Sequence, residues 1–212
     1  MAREVPSNVH YPFGIETTAM LGVDFQVGFG DGFEPVPDAS AAVENFRRAS
    51  ARWRELGGTV IHVQTVYTPD RQPQGRIVDF VPNVAEALAE GARDAEPYAE
   101  LVDPADELVY KRTFSAVASS DLMQRLESLG FDSVVLGGLT TPICVQTTAD
   151  ALSMSGFKVT LLHDACASQA IGELSAQEAH LAAVQRMAYL FTAACTTSGF
   201  LASLDALPVA GG

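Results

Sequence analysis

The chain has 212 residues, 48% of them hydrophobic, and 26 acidic against 13 basic side chains give it a formal net charge of −13. That length and apolar content suit one domain with a real core and exclude wholesale disorder, while the charge repels phosphate backbones and anionic lipid, so neither nucleic acid nor a membrane surface is an expected partner. Three widely spaced cysteines make no disulfide framework, no apolar run is long enough to cross a bilayer, and the opening MAREVPSNVHYPFG has no apolar leader; together these predict a cytoplasmic protein.

Residues 1–16 read as an irregular, flexible arm. Residues 18–25 (TAMLGVDF) form an apolar run carrying one acid, Asp24, and predict a buried first strand. Asp38 is placed to cap a helix that carries Val43, Phe46, Ala49, Trp53 and Leu56 on one face and stops at Gly57-Gly58. Residues 59–65 (TVIHVQT) are rich in β-branched side chains and predict the second strand. A loop with Pro69, Pro73, Gly75 and Pro82 fills residues 66–82, long enough to suggest a functional role, and residues 83–91 suggest a short helix.

Residues 108–111 (LVYK) predict a short third strand. Ser120 can cap a helix bearing Leu122, Leu126 and Leu129, closed by Gly130. Residues 134–136 predict a fourth strand, broken at Gly137-Gly138; the chain turns through residues 139–142, and Cys144 then opens a helix that stops at Gly156. Residues 158–163 (KVTLLH) predict a fifth strand ending at Asp164. Ser175 and Glu178 match a capping box for a helix through Met187, followed by a sixth strand at 189–194, a last short helix at 196–204 and a loose tail after Pro208.

Strand and helix alternate along the chain. This predicts a three-layer α/β/α fold around a six-stranded, mostly parallel, Rossmann-like sheet, with 1–212 as a single domain whose core is about 17–204. Ligands of such sheets bind beyond the carboxyl ends of the strands. Asp24 stands at the end of the first strand, Lys111 at the end of the third, and Cys144 just after the fourth. The expectation is that the three form one catalytic unit. Cys144 is the nucleophile, its thiolate favoured by the helix N-terminus and by Lys111, and Asp24 is the proton carrier. Taken alone, Asp24 and Lys111 are ordinary strand-end charges and Cys144 a packing residue; their shared edge is what points to chemistry.

The residues also carry a resemblance. Val23-Asp24-Phe25-Gln26 resembles the D-x-Q opening of the isochorismatase-like cysteine hydrolases. The stretch 111–116 (KRTFSA) resembles their K-x-x-aromatic-S-A segment, and 138–149 (GLTTPICVQTTA) resembles G-x-x-T-x-x-C-V-x-x-T-A. The resemblance covers roughly residues 17–204 and implies hydrolysis of a small carboxamide, ureide or N-carbamoyl substrate through a thioester, with release of ammonia or an amine. It puts the catalytic roles on Asp24, Lys111 and Cys144, a cis peptide before Thr140, an oxyanion hole on the N–H groups of Thr140 and Cys144, a structural acid on Asp164, and a homodimer or homotetramer. The family also implies an alternative, vinyl-ether hydrolysis by acid protonation without a thiol; a non-catalytic binding protein on the same fold is a third.

Two departures stand out: Val117 replaces a frequent aromatic residue, and Tyr67-Thr68-Pro69-Asp70 lacks the Asp/His cluster of the zinc-using nicotinamidases. His10, His62, His163 and His180 are dispersed, so no metal and no other cofactor is expected. The stretch 28–32 (GFGDG) lacks the third glycine of a dinucleotide loop. Candidate substrate contacts are Gln26, Phe29, Tyr67, Phe114 and Thr141. Phe13 and Phe33 are further candidates for an apolar wall, and Arg71, Arg76 or Arg112 for anchoring a substrate carboxylate. Cys166, read as a loop residue near the same edge, and Cys195 are the competing cysteines.

Overall fold

The fold is built on strands that are buried on both faces. The computed structural model describes residues 5, 7 and 9–206. Six strands run in chain order: β1 Thr18–Val23, β2 Thr59–Thr65, β3 Glu107–Lys111, β4 Ser133–Leu139, β5 Lys158–Ala167 and β6 Ala193–Cys195. They form one sheet in the order β3-β2-β1-β4-β5-β6, and every pairing is parallel. The eight α-helical segments are α1 Ala39–Glu55, α2 Ile77–Phe80, α3 Val84–Ala87, α4 Ala116–Ser119, α5 Leu122–Ser128, α6 Gln146–Met154, α7 Ala176–Leu190 and α8 Thr197–Asp205.

Helices cover both faces of the sheet. On one, Leu126, Val145, Ala149, Leu152, Val184 and Met187 pack against Leu21, Ile61, Val134 and Leu161. On the other, Phe46, Ala49 and Trp53 of α1 and Phe200 and Leu204 of α8 pack against Met20, Val60, Val135 and Leu162. A third, smaller cluster of Tyr67, Ile77, Val84 and Leu88 lies in the long connection after β2. The expected three-layer α/β/α architecture is the observed one.

Several boundaries differ from expectation, each for a physical reason. β1 stops at Val23 because Asp24 takes a left-handed backbone (φ 51°) that turns the chain out of the sheet, while its N–H still donates to Val63 O at 2.8 Å. Asp38 does not cap α1 with its side chain; it too is left-handed, and its carbonyl accepts from the N–H groups of Ala41 and Ala42. β4 is not broken at Gly137-Gly138 but runs through both glycines to Leu139. A Cβ on Gly137 would stand 2.9 Å from the Phe46 ring, and one on Gly138 would collide with the Val23 carbonyl.

β5 does not end at Asp164. It continues to Ala167, so Cys166 is a buried strand residue whose Sγ lies 3.4 Å from Leu162 O, not a loop thiol. Helix α7 runs on to Leu190, which leaves β6 only three residues. The expected arm at 1–16 falls partly, and the tail after Pro208 wholly, outside the described residues. No helix among the described residues is long and apolar enough to cross a membrane.

Candidate active site

Parallel register assembles the site from chain segments far apart in sequence. Thr65, the last residue of β2, pairs with Lys111, the last residue of β3. Val23 pairs with Val63, so Asp24 emerges beside the end of β2. β4 reaches the same edge at Leu139. The Leu139–Thr140 peptide bond is cis, and residues Thr141–Val145 form a wide π turn that leads into α6. Cys144 lies in that turn, on the edge of the sheet where the three strands end.

The side chains meet there. Lys111 Nζ lies 2.8 Å from Asp24 Oδ2 and 3.6 Å from Cys144 Sγ, and also donates to Thr113 O at 2.9 Å and to Thr65 Oγ1 at 2.7 Å. Thr65 Oγ1 in turn donates to Asp24 Oδ1 at 3.0 Å. Asp24 is fully buried, Lys111 is 1% exposed and Cys144 7%. Burying a charge is expensive unless it is paired and hydrogen-bonded, and this ammonium and carboxylate are both.

Burial disfavours the Lys111 ammonium, but the charges of Asp24 and Cys144 outweigh it and hold its pKa above the ordinary value. The thiol behaves oppositely. Burial pushes Cys144 up to about 12; Lys111 pulls it down, and the charge and hydrogen bonding of Asp24 push it further up. Burial and Asp24 thus work against the thiolate that the sequence reading favours, and Lys111 works for it. The ammonium that would favour a thiolate is already neutralised by a carboxylate, and desolvation then decides.

Above the thiol is a cavity of about 270 Å³. Its floor includes Thr65, Lys111, Thr140 and Cys144. Its wall is apolar, built from Phe29, Phe33, Ile77, Phe80, Val81, Val84, Leu88, Phe114 and Ile143, with Glu34 and Gln169 as the remaining polar members. Of the expected substrate contacts, Phe29 and Phe114 line this cavity. Gln26 does not: it is buried, its Nε2 donates to Thr65 O and Ala95 O, and its Oε1 accepts from Thr65 N–H, so it ties the site's scaffold together.

Thr141 also faces elsewhere, its hydroxyl donating to Ala167 O and lying 2.8 Å from His180 Nδ1. Tyr67 sits behind the wall, its hydroxyl donating to Arg112 O, and burial pushes its phenol up to about 12. Phe13 packs edge-on against Phe200 in the α1/α8 layer.

None of the three arginines reaches the cavity. Arg71 Nε donates to Val66 O and its guanidinium lies over the Tyr110 ring, Arg76 pairs with Asp79 on the surface, and Arg112 donates to Gln74. Asp164 Oδ1 accepts from the N–H and hydroxyl of Thr197, which fixes the start of α8. Sequence reading missed Thr65, whose only signal is a hydroxyl at a strand end, and missed Glu34 and Gln169, which carry no signal at all. Among the described residues no group of three or more His, Cys, Asp or Glu side chains is arranged to hold a metal ion.

Comparison with known proteins identifies the family. The isochorismatase domain family matches residues 18–199. An isochorismatase family protein of Bacillus subtilis (strain 168) is 30% identical over 155 residues, which cover 72% of this chain and 75% of that protein. The maleamate amidohydrolase of Pseudomonas putida is 29% identical over 150 residues, 69% of this chain and 70% of that one. Among solved structures, a cysteine hydrolase from Pseudomonas syringae pv. phaseolicola 1448A superimposes with a TM-score of 0.86 at 25% identity, covering 97% of this chain and 99% of the other. A parallel sheet whose strand ends bring an acid, a lysine and a cysteine under one apolar cavity, together with these similarities, makes the chain a member of the isochorismatase family of hydrolases.

Proposed function

We propose that the protein is a cysteine amidohydrolase that cleaves a small carboxamide, ureide or N-carbamoyl substrate through a thioester, with residues 17–204 acting as one catalytic domain. The observation that carries this reading is the placement of Lys111 Nζ, 2.8 Å from Asp24 Oδ2 and 3.6 Å from Cys144 Sγ, at the floor of the cavity. The similarity to maleamate amidohydrolase supports an amide bond as the target.

A thiol with a pKa near 12 stays protonated at neutral pH until a base takes its proton. Asp24 is that base. Cys144 Sγ attacks the carbonyl carbon while its proton passes to Asp24, and the oxyanion accepts hydrogen bonds from the N–H groups of Thr140 and Cys144. Asp24 then gives the proton to the departing nitrogen as the C–N bond breaks, and ammonia or an amine leaves. Water attacks the thioester, yielding one proton to Asp24; the C–S bond breaks, the acid leaves, and the thiol recovers its proton. Lys111 keeps the Asp24 carboxylate oriented and offsets the negative charge that moves between oxygen and sulfur.

Mass spectrometry across a panel of amides and ureides tests this. The expected result is an acyl adduct on Cys144, and no turnover by Cys144→Ala or Cys144→Ser although both fold. An undiminished rate in either variant rules out the mechanism. Turnover of a vinyl ether by Cys144→Ala would support instead the thiol-independent chemistry, in which a cysteine buried at the cavity floor has no role.

A further inference from the structure

The cavity holds two polar groups that the proposed chemistry leaves unused. Glu34, in the loop after β1, lines the cavity, and its carboxylate makes no hydrogen bond or ion pair among the described residues. Gln169, two residues beyond the end of β5, lines it too and has a buried Oε1 with no hydrogen-bond partner among the described residues. That oxygen is closed off from the open space, and the Gln169 amide can offer either its oxygen or its NH2, so it serves a donor or an acceptor alike and the charge preference falls to Glu34.

The rest of the wall sharpens the point. Among the described residues the one cation lining the cavity, Lys111, is held by Asp24, and the three nearby arginines are engaged outside it. Among the described residues the lining therefore holds no unpaired cation for a substrate anion; the Gln169 amide is neutral. Phe29 and Phe33, with ring centroids 5.6 Å apart, lie on the same wall as Glu34 and offer π faces, which attract cations.

We propose that this cavity selects an amide with an apolar body whose second polar group is an ammonium or other N–H donor, received by the Glu34 carboxylate, and that it disfavours amides bearing a carboxylate. The proposal deepens the amidohydrolase reading and rests on it for the reacting bond, but the charge preference concerns the other end of the substrate and is measured separately.

The experiment is calorimetric binding to Cys144→Ala of three aryl amides with one common body and an aminomethyl, a methyl or a carboxylate substituent. The aminomethyl compound is expected to bind tightest and the carboxylate weakest. The aminomethyl-to-methyl ratio should be about fivefold, the ~1 kcal/mol of a partly exposed ion pair. Adding Glu34→Gln should abolish that ratio, whereas adding Glu127→Gln, which removes an exposed acid on α5, should leave it unchanged and so exclude the global charge of −13 as the cause.

A carboxylate compound that binds as well as the aminomethyl one, a ratio indifferent to Glu34→Gln, or no measurable binding of any of the three overturns the proposal. If the preference holds while the wild-type protein hydrolyses none of the three and forms no adduct, the charge reading stands and the amidohydrolase reading falls.

Discussion

Thr65 donates its hydroxyl hydrogen to Asp24 Oδ1 at 3.0 Å, and Thr65 Oγ1 itself accepts from Lys111 Nζ at 2.7 Å. One hydroxyl thus serves both members of a buried ion pair. Thr65→Val keeps the shape of the side chain and removes both bonds. A hydrogen bond to a charged group contributes about 1.5–3 kcal/mol; with the equivalent of one such bond lost at the transition state, turnover should fall roughly 10- to 150-fold. Thr65→Ser should retain most of it. Steady-state kinetics of the two variants, with circular dichroism to verify folding, provides the check; equal rates for Thr65→Val and wild type would remove Thr65 from the site.

The raised thiol predicts a distinctive pH response. With Cys144 near 12, its alkylation by iodoacetamide should be slow at pH 7 and climb steadily through pH 9–10 without a plateau. A plateau below pH 8 would mean a resting thiolate instead. Stability follows the same group. The folded value lies above the ordinary thiol value of 9.0, so the native state binds more protons than the unfolded chain above pH 9. Its contribution is fully present below pH 9 and is lost as pH rises toward 12. Cys166 and Cys195, also pushed up to about 12 by burial, add to the same alkaline loss. Urea unfolding at pH 8, 9 and 10 measures it.

Asp106 joins three segments. Arg54 Nε and Nη2 of α1 bind its two carboxylate oxygens at 2.9 and 2.6 Å, and His62 Nε2 of β2 lies 2.9 Å from Oδ2. Burial raises its pKa, but the hydrogen bonds of His62 and Arg54 overcome that and hold the carboxyl well below the ordinary 3.8. Asp106→Ala leaves a guanidinium without its partner and should cost about 3–5 kcal/mol, read as a lower urea midpoint. Because the folded value is depressed, the stabilisation is complete above pH 4 and disappears as pH falls below it. Wild type should therefore lose more stability than Asp106→Ala between pH 5 and 3.

Gly138 has φ +156°, and a Cβ there would collide with the Val23 backbone beside Asp24. Gly138→Ala should push β1 and β4 apart at the edge that carries the site, with a loss of about 1–3 kcal/mol, the size of an overpacked core position. Activity should fall further than stability. A variant of wild-type stability and rate would show that the two strands have room to spare.

Much of this was legible in the chain because it is written in local chemistry. The β-branched run at 59–65 marks β2 at its observed bounds. Asp24 and Lys111 are visible as charges at the ends of apolar strands and Cys144 as a cysteine in the turn after one, and the structure brings their side chains together. The illegible parts are those that depend on neighbours. Asp164 looks like a strand terminator, yet its carboxylate is spent on Thr197 and β5 passes through it. Thr65 looks like one more β-branched residue until the β2–β3 register sets it beside Lys111. The thiol's expected activation by its turn is a local argument; the burial that opposes it is a property of the whole fold.

On the proposed mechanism, the groups that bear on the reacting bond all sit at the ends of strands or in the turn after β4, whereas much of the cavity's apolar wall comes from residues 77–88, which pack with Tyr67 as a small cluster of their own. Chemistry and selection are thus lodged in separable parts of the chain. Exchanging that one connection for a segment of different shape would recast which molecules are admitted while the reactive sulfur and its two charged companions stay where they are. In this architecture new specificity needs only a new vestibule.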